Sequence, residues 1–239
     1  MPLRLVQVNI KARDEVALGR FWADALGWGV DSEGPGVTNL EPFGFHWPHP
    51  SAVCVDLVRV ADPTTLDYRV HLDLAPSQDE DLVARLVALG ATRLPDHDDE
   101  HASVLADPEG NVFRVLSPDA ASVAAPVAAV VVHCADPRAQ AVFWDSATDW
   151  ELLDVADDRA RLRSSAGVGP VLELVRGPEQ PWTSHLHLDV MPYPGDDQAA
   201  EVARLRTLGA HDADVGQGDV PWVVMRDPEG HDFCVLSPR

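Results

Sequence analysis

Two short segments of this 239-residue chain place histidine and carboxylate at the spacing of a single strand face. Residues 70–74 read VHLDL and residues 186–190 read LHLDV. In extended backbone alternate side chains share a face, so His71 points with Asp73 and His187 with Asp189, and His185 precedes His187 on the same side. Such pairs serve either as metal-binding groups or as hydrogen-bonded pairs in a pocket floor, and both readings stay open. A third cluster, HDDEH at 97–101, lies in a polar stretch after Gly90 and reads as a solvated acidic turn. The chain has no GxGxxG, P-loop, GxSxG or HExxH motif, so phosphate cradles, nucleophile elbows and zincin helices are not indicated. Cys54, Cys134 and Cys234 cannot all pair, show no CxxC spacing, and read as buried reduced thiols.

The elements that must carry these residues occur twice. Residues 107–118 (DPEGNVFRVLSP) and 227–238 (DPEGHDFCVLSP) share nine of twelve residues. VARLVALGA (83–91) recurs as VARLRTLGA (202–210), and Asp14, Phe21, Trp22 and Trp28 recur as Asp136, Phe143, Trp144 and Trp150. Matches in one order over the whole length mean a duplicated domain. The reading is domain 1 over 1–118, a linker at 119–126 and domain 2 over 127–239. A residue kept in both copies is explained first by the fold, and one that differs marks where the copies have divided their work.

Within each copy the pattern predicts strand, helix and strands, then the same again. RLVQVNI (4–10) alternates as a strand. Asp14 caps the helix after it, Gly27 ends that helix, and Asp136-Pro137 open its twin. Residues 51–60 and 170–177 read as strands. Leu82, Val83, Leu86 and Leu89 form one helical stripe within 79–89, stopped by Gly90. SVLADPEGNVFRVLS is a hairpin about a Pro-Gly-bearing turn.

The net charge of −21, from 39 acids against 18 Lys and Arg, opposes phosphate backbones and anionic lipid. Nucleic acid and membrane are therefore not expected partners. The same field favours a cationic ligand, or serves solubility alone. No apolar run approaches the roughly 20 residues of a membrane span, and the N-terminus shows no cleavable signal pattern, so a cytoplasmic protein is expected.

LGW after the first helix, HLDL opening the second unit and DPEGxxF before the last strand together resemble the glyoxalase/bleomycin-resistance/extradiol-dioxygenase superfamily, the vicinal oxygen chelate proteins. The resemblance covers the whole chain and is closest to the tandem glyoxalase-like branch. It implies an α+β fold: two tandem glyoxalase-like domains, each of two βαβββ units forming a cup-shaped sheet, packed as a pseudo-dimer. It also implies a pocket for a small molecule, and in metal-dependent members a ligand set from four strands. Carried over within each repeat, those positions fall near Gln7, Asp56, His71 and Arg114 in the first, and near Ala129, Glu173, His187 and Cys234 in the second. Arg114 stands where a glutamate belongs, and its guanidinium repels a metal. At about 4 Å and an effective dielectric near 20, a unit charge against a divalent ion costs on the order of 8 kcal/mol. The second set, Glu173, His187 and Cys234, has acceptable zinc ligands.

Trp22, Trp144, Trp28 and Trp150 are duplicated and read as core. FGFHWPHP (43–50) with Trp47, and also Trp182, Tyr193 and Trp222, are not duplicated. The loop lines a pocket or fills the contact between halves. The reading that follows is metal-independent binding of a small molecule, cationic or aromatic, of the antibiotic- or metabolite-sequestering type. Its pocket residues are drawn from Asp56, His71, Asp73, Arg114, Trp47, Glu173, His185, His187, Asp189, Trp182, Trp222 and Cys234. The alternative is a lyase or isomerase of the glyoxalase type with one zinc or nickel ion in domain 2. A monomer or weak dimer is expected, with the pseudo-dimer internal to the chain.

Overall fold

The computed structural model describes residues 2–61, 69–76, 81–97, 100–121, 125–177, 184–216 and 218–239. Four units succeed one another. Unit I holds β1 (Arg4–Ala12), α1 (Glu15–Leu26), β2 (Gly29–Gly34), β3 (Val37–Glu41) and β4 (Cys54–Arg59). Unit II holds β5 (Val70–Leu74), α2 (Leu82–Leu89), β6 (Thr92–Arg93), β7 (Ala102–Ala106) and β8 (Val112–Leu116). Unit III holds β9 (Val127–Cys134), α3 (Pro137–Ala147), β10 (Trp150–Val155), β11 (Arg159–Ser164) and β12 (Val171–Arg176). Unit IV holds β13 (Leu186–Met191), α4 (Gln198–Thr207), β14 (His211–Asp212), β15 (Val223–Arg226) and β16 (Asp232–Val235).

The expected caps are in place, with one difference between the copies. Asp14 accepts the Ala17 N–H at 3.0 Å, and α1 ends on Gly27 in the left-handed region at φ 65°. In the second copy Asp149 replaces that glycine, and among the described residues no non-glycine takes a positive φ. Helix α3 instead stops at Ala147, with Thr148 extended and its hydroxyl donating to the Trp144 carbonyl at 2.7 Å. Helix α2 is described from Leu82, and the earlier part of the expected 79–89 stripe lies outside the described residues.

The units combine across the repeats. Units I and IV form one eight-stranded sheet, in the order β14-β15-β16-β13-β1-β4-β3-β2. Units III and II form the other, β10-β11-β12-β9-β5-β8-β7-β6. The seams are antiparallel, β1 on β13 and β5 on β9. The expected two-repeat α+β fold is present, but the ligand sets assembled within each repeat need correction. Asp56 and His71 lie in different sheets, as do Glu173 and His187.

Within a repeat the two units meet through their helices and apolar sheet faces, which share one core. Phe21 and Trp22 of α1 pack on Phe113 of the opposite sheet, ring centres 6.4 and 5.1 Å away. Phe143 and Trp144 of α3 pack likewise on Phe233, at 6.2 and 5.5 Å.

The DPEG turns explain their own duplication. Asp107 accepts from Trp22 Nε1 at 3.0 Å, and the Glu109 carboxylate accepts the Arg13 and Asp14 N–H groups at 2.7 and 2.8 Å. Glu229 does the same for Ala135 and Asp136, at 2.7 and 2.8 Å. Arg85 and its twin Arg204 donate to the last carbonyls of α1 and α3. Each repeat is thus clamped between the two sheets by the same two devices, the DPEG glutamate and the arginine, while Asp227 pairs with the His231 ring at 2.7 Å where Asp107 holds Trp22. Among the described residues no helix is long and apolar enough to cross a membrane.

Candidate functional site

The helix-free face of each sheet forms a cup, and the two cups differ in charge. In the cup of units I and IV, Gln7 and Asn9 of β1 stand beside Cys54 and Asp56 of β4 and beside Asp189 and His187 of β13. Asp189 in turn neighbours Cys234 of β16. Neighbours in register share a face, and Val8, Ile10, Val55, Leu57, Leu188 and Phe233 occupy the other one, in the core. Asn9, Asp56, Asp189 and Cys234 are only 5, 6, 3 and 6% exposed, although no described helix packs on this face. The side chain of His187, at 21%, is the more exposed member of the group.

One amide ties the acids together. Gln7 Nε2 donates to Asp56 Oδ2 at 2.7 Å and to Asp189 Oδ2 at 2.9 Å. Burial pushes Asp56 up to about 6, against hydrogen bonds from Asn39 and Gln7. Burial also pushes Asp189 up to about 8, and the charge of Asp56 adds to that rise. Burial holds His185 and His187 down at about 4, with Lys11 contributing. Lys11 itself lies further along β1 and donates to the Ser184 carbonyl at 2.9 Å.

The cup of units II and III carries its own cations. Arg114 stands beside Asp73 in register and donates to both its oxygens, at 2.8 and 2.5 Å. Burial would raise Asp73, but hydrogen bonds from His71 and Arg114 hold it below the usual carboxylate range. His71 Nε2 lies 3.3 Å from Asp73 Oδ1, and its ring centre is 5.3 Å from that of His133. Burial, with the charges of His71 and Arg114, holds His133 at about 4. Glu173 faces Arg159 at 3.5 Å, and burial and Asp73 raise its carboxyl. Ala129, Val131 and Val171 give this cup an apolar floor.

Register makes the contrast position by position. Strand β11 sets Arg161 beside Glu173, where β3 sets Asn39 beside Asp56. Two residues either way, Arg159 and Arg163 answer to Val37 and Glu41. Arg114, next to Asp73, answers to Cys234, next to Asp189.

The predicted residues therefore regroup. Asp56, His185, His187, Asp189 and Cys234 belong to the I/IV cup, and His71, Asp73, Arg114 and Glu173 to the II/III cup. The expected metal set loses Glu173 and gains Asp189: His187, Asp189 and Cys234 each offer an atom, all within 4.8 Å of one another. These nitrogen, oxygen and sulfur donors fit a zinc ion. Burial and the adjacent Asp189 drive the Cys234 thiol upward, so a metal held there would have to displace its proton.

Trp47 lies under the Arg239 guanidinium at 5.5 Å, and Pro50 abuts Gly169, where a side chain would meet the Pro50 carbonyl at 2.2 Å. This part of the aromatic loop thus contacts the second repeat, while Phe43 is 80% exposed. Trp222 is partly exposed, and Trp182 lies outside the described residues, as do 98 and 99 of HDDEH. The sequence reading missed Asn9, Lys11 and Asn39. The alternation of β1 from Gln7 carries the signal for the first two, whereas Asn39 needed the β3–β4 register.

This architecture is that of the vicinal oxygen chelate proteins. A family model described as "Glyoxalase-like domain" matches residues 7–116 and again 129–236, and the chain belongs to that family. Among solved structures it is similar to glyoxalase I from Zea mays, at 16% identity and a TM-score of 0.67, over 98% of this chain and 92% of that one. It is also similar to a putative dioxygenase from Bacillus subtilis, at 12% identity and a TM-score of 0.61, covering 99% and 85%. At these identities the likeness shows the fold. No curated protein sequence matches the chain significantly.

Proposed function

We propose that this is a cytoplasmic, metal-independent small-molecule-binding protein of the glyoxalase/bleomycin-resistance type, and that its working pocket is the I/IV cup. The observation that carries the reading is the bridged acid pair. Asp56 and Asp189 are buried, joined through Gln7, and have no counterpart of the Arg114 that neutralises Asp73 in the other cup. Burying ionisable groups is costly, and a site that keeps two of them is spending stability on recognition. The II/III cup, with its acids already answered by arginine, acts as scaffold. Domains 1–118 and 127–239 are then both needed, because each contributes two strands to the pocket wall.

The test is a thermal-shift screen of small molecules against the wild type, D56N and R114M, all with EDTA present. Hits that are lost in D56N and kept in R114M support the reading. Hits lost only in R114M would move the pocket to the other cup.

A second reading rests on the cluster of His187, Asp189 and Cys234. Those side chains would hold one divalent ion, which polarises a carbonyl or enediolate oxygen in a lyase or isomerase. Asp56, which Gln7 links to Asp189, would then be the nearby group able to take up or return a proton.

A further inference from the structure

The two cups are copies of one design, and one of them shows what the other lacks. In the II/III cup the aspartate of HLDL holds a planar organic cation, the Arg114 guanidinium, with two hydrogen bonds. In the I/IV cup the twin aspartate, Asp189, has Cys234 at that register position. Asp189 Oδ1 is buried and has no hydrogen-bond partner of ordinary geometry among the described residues, although the Cys234 thiol lies close enough to favour its charged form and His187 Nε2 stands 3.5 Å away. Asn9 Nδ2, on the same face, is also buried without a partner of ordinary geometry, although Asn9 lies close enough to favour the charged form of Asp189. The neighbouring strand removes positive charge as well, placing Asn39 and Glu41 where the other cup has Arg161 and Arg163.

We infer that the I/IV cup binds an organic cation bearing N–H donors, a guanidinium, amidinium or ammonium group, which takes the place that Arg114 fills in the II/III cup. This rests on the proposal that the I/IV cup is the pocket, and it names the chemistry the pocket selects. The cation donates to Asp189 Oδ1 as that carboxyl releases its proton to solvent, and Asp56 stands behind it through Gln7. Asn9 Nδ2 donates to an acceptor atom on the same ligand. Charge-assisted hydrogen bonds in a water-poor site are about twice as strong as neutral ones, so the neutral isostere of the cation is rejected.

Benzamidinium and its neutral isostere benzamide make the comparison, titrated by calorimetry into the whole protein with EDTA present. Benzamidinium is expected to bind about tenfold more tightly than benzamide, the ratio that 1.4 kcal/mol provides. D189N should remove that preference, and C234R, which installs the missing guanidinium, should block benzamidinium altogether. D189N changes one atom and keeps the shape, so the test stands even if C234R fails to fold. Equal binding of the two probes, a preference that survives D189N, or no binding of benzamidinium overturns the cation inference. The pocket proposal fails separately, if the hits of the neutral and charged screen ignore D56N.

Discussion

Arg114 grips both carboxylate oxygens of Asp73 through Nε and Nη2, a half-buried fork on a fully buried carboxylate in the II/III cup. Its twin, Cys234, offers Asp189 a thiol and no charge. This substitution, together with Asn39 and Glu41 in place of Arg161 and Arg163, separates a self-neutralised cup from one that keeps its acids without arginine.

Arg114→Met should destabilise the protein by about 3 kcal/mol, because it strands the buried Asp73 charge. Cys234→Ala should cost only about 1 kcal/mol, as a small packing loss. Urea unfolding of both variants measures this. Near-equal losses would mean that the two cups are not electrostatically different. Arg114→Glu, moreover, should not create a metal set with Asp56, since the two lie in different sheets.

Glu109→Gln and Glu229→Gln should each lower stability by about 1 kcal/mol, the usual worth of side-chain capping at a helix entrance. Their effects should be alike, because each glutamate accepts the same pair of N–H groups ahead of its helix. Chemical denaturation of the single and double variants checks both the size and the expected additivity.

The fold was legible because its duplicated residues do structural work twice. Trp22 and Trp144 pack on twin phenylalanines, Glu109 and Glu229 accept twin N–H pairs, and Arg85 and Arg204 hold twin carbonyls, so internal comparison found them. The candidate site was half legible. Asp56, His187, Asp189 and Cys234 stood out by type, but grouping them by repeat put Asp56 with His71 and Glu173 with His187. Local patterning sets which face a side chain takes, and it holds no information about which unit's edge strand, β5 or β13, closes on β1. That choice is a long-range pairing of Gln7 with Asp189, visible only in register.

Produced separately, residues 1–118 and 127–239 should associate when mixed, because each sheet takes one unit from each half. Size-exclusion chromatography with light scattering should show a one-to-one complex that regains cooperative unfolding. A half that stays a folded monomer with no affinity for the other contradicts the cross-repeat sheets.

His133 is held at about 4 in the folded chain, below the ordinary value of 6.5. Between those values the unfolded chain binds a proton and the folded one does not, so this group takes away stability as pH falls from 6.5 towards 4. His133→Gln should therefore gain on the wild type over that window and run parallel to it above pH 7. Paired denaturation series from pH 4 to 8 read the difference directly. A constant offset would mean that His133 titrates normally in the folded protein.

The central claim, a pocket that works without a metal, is met most directly by elemental analysis of protein purified without a histidine tag. Mass spectrometry should find well under one equivalent of zinc, nickel or any other transition metal per chain. A stoichiometric metal that His187→Ala or Asp189→Asn removes would contradict the claim and assign the I/IV cup to a metal-dependent lyase or isomerase.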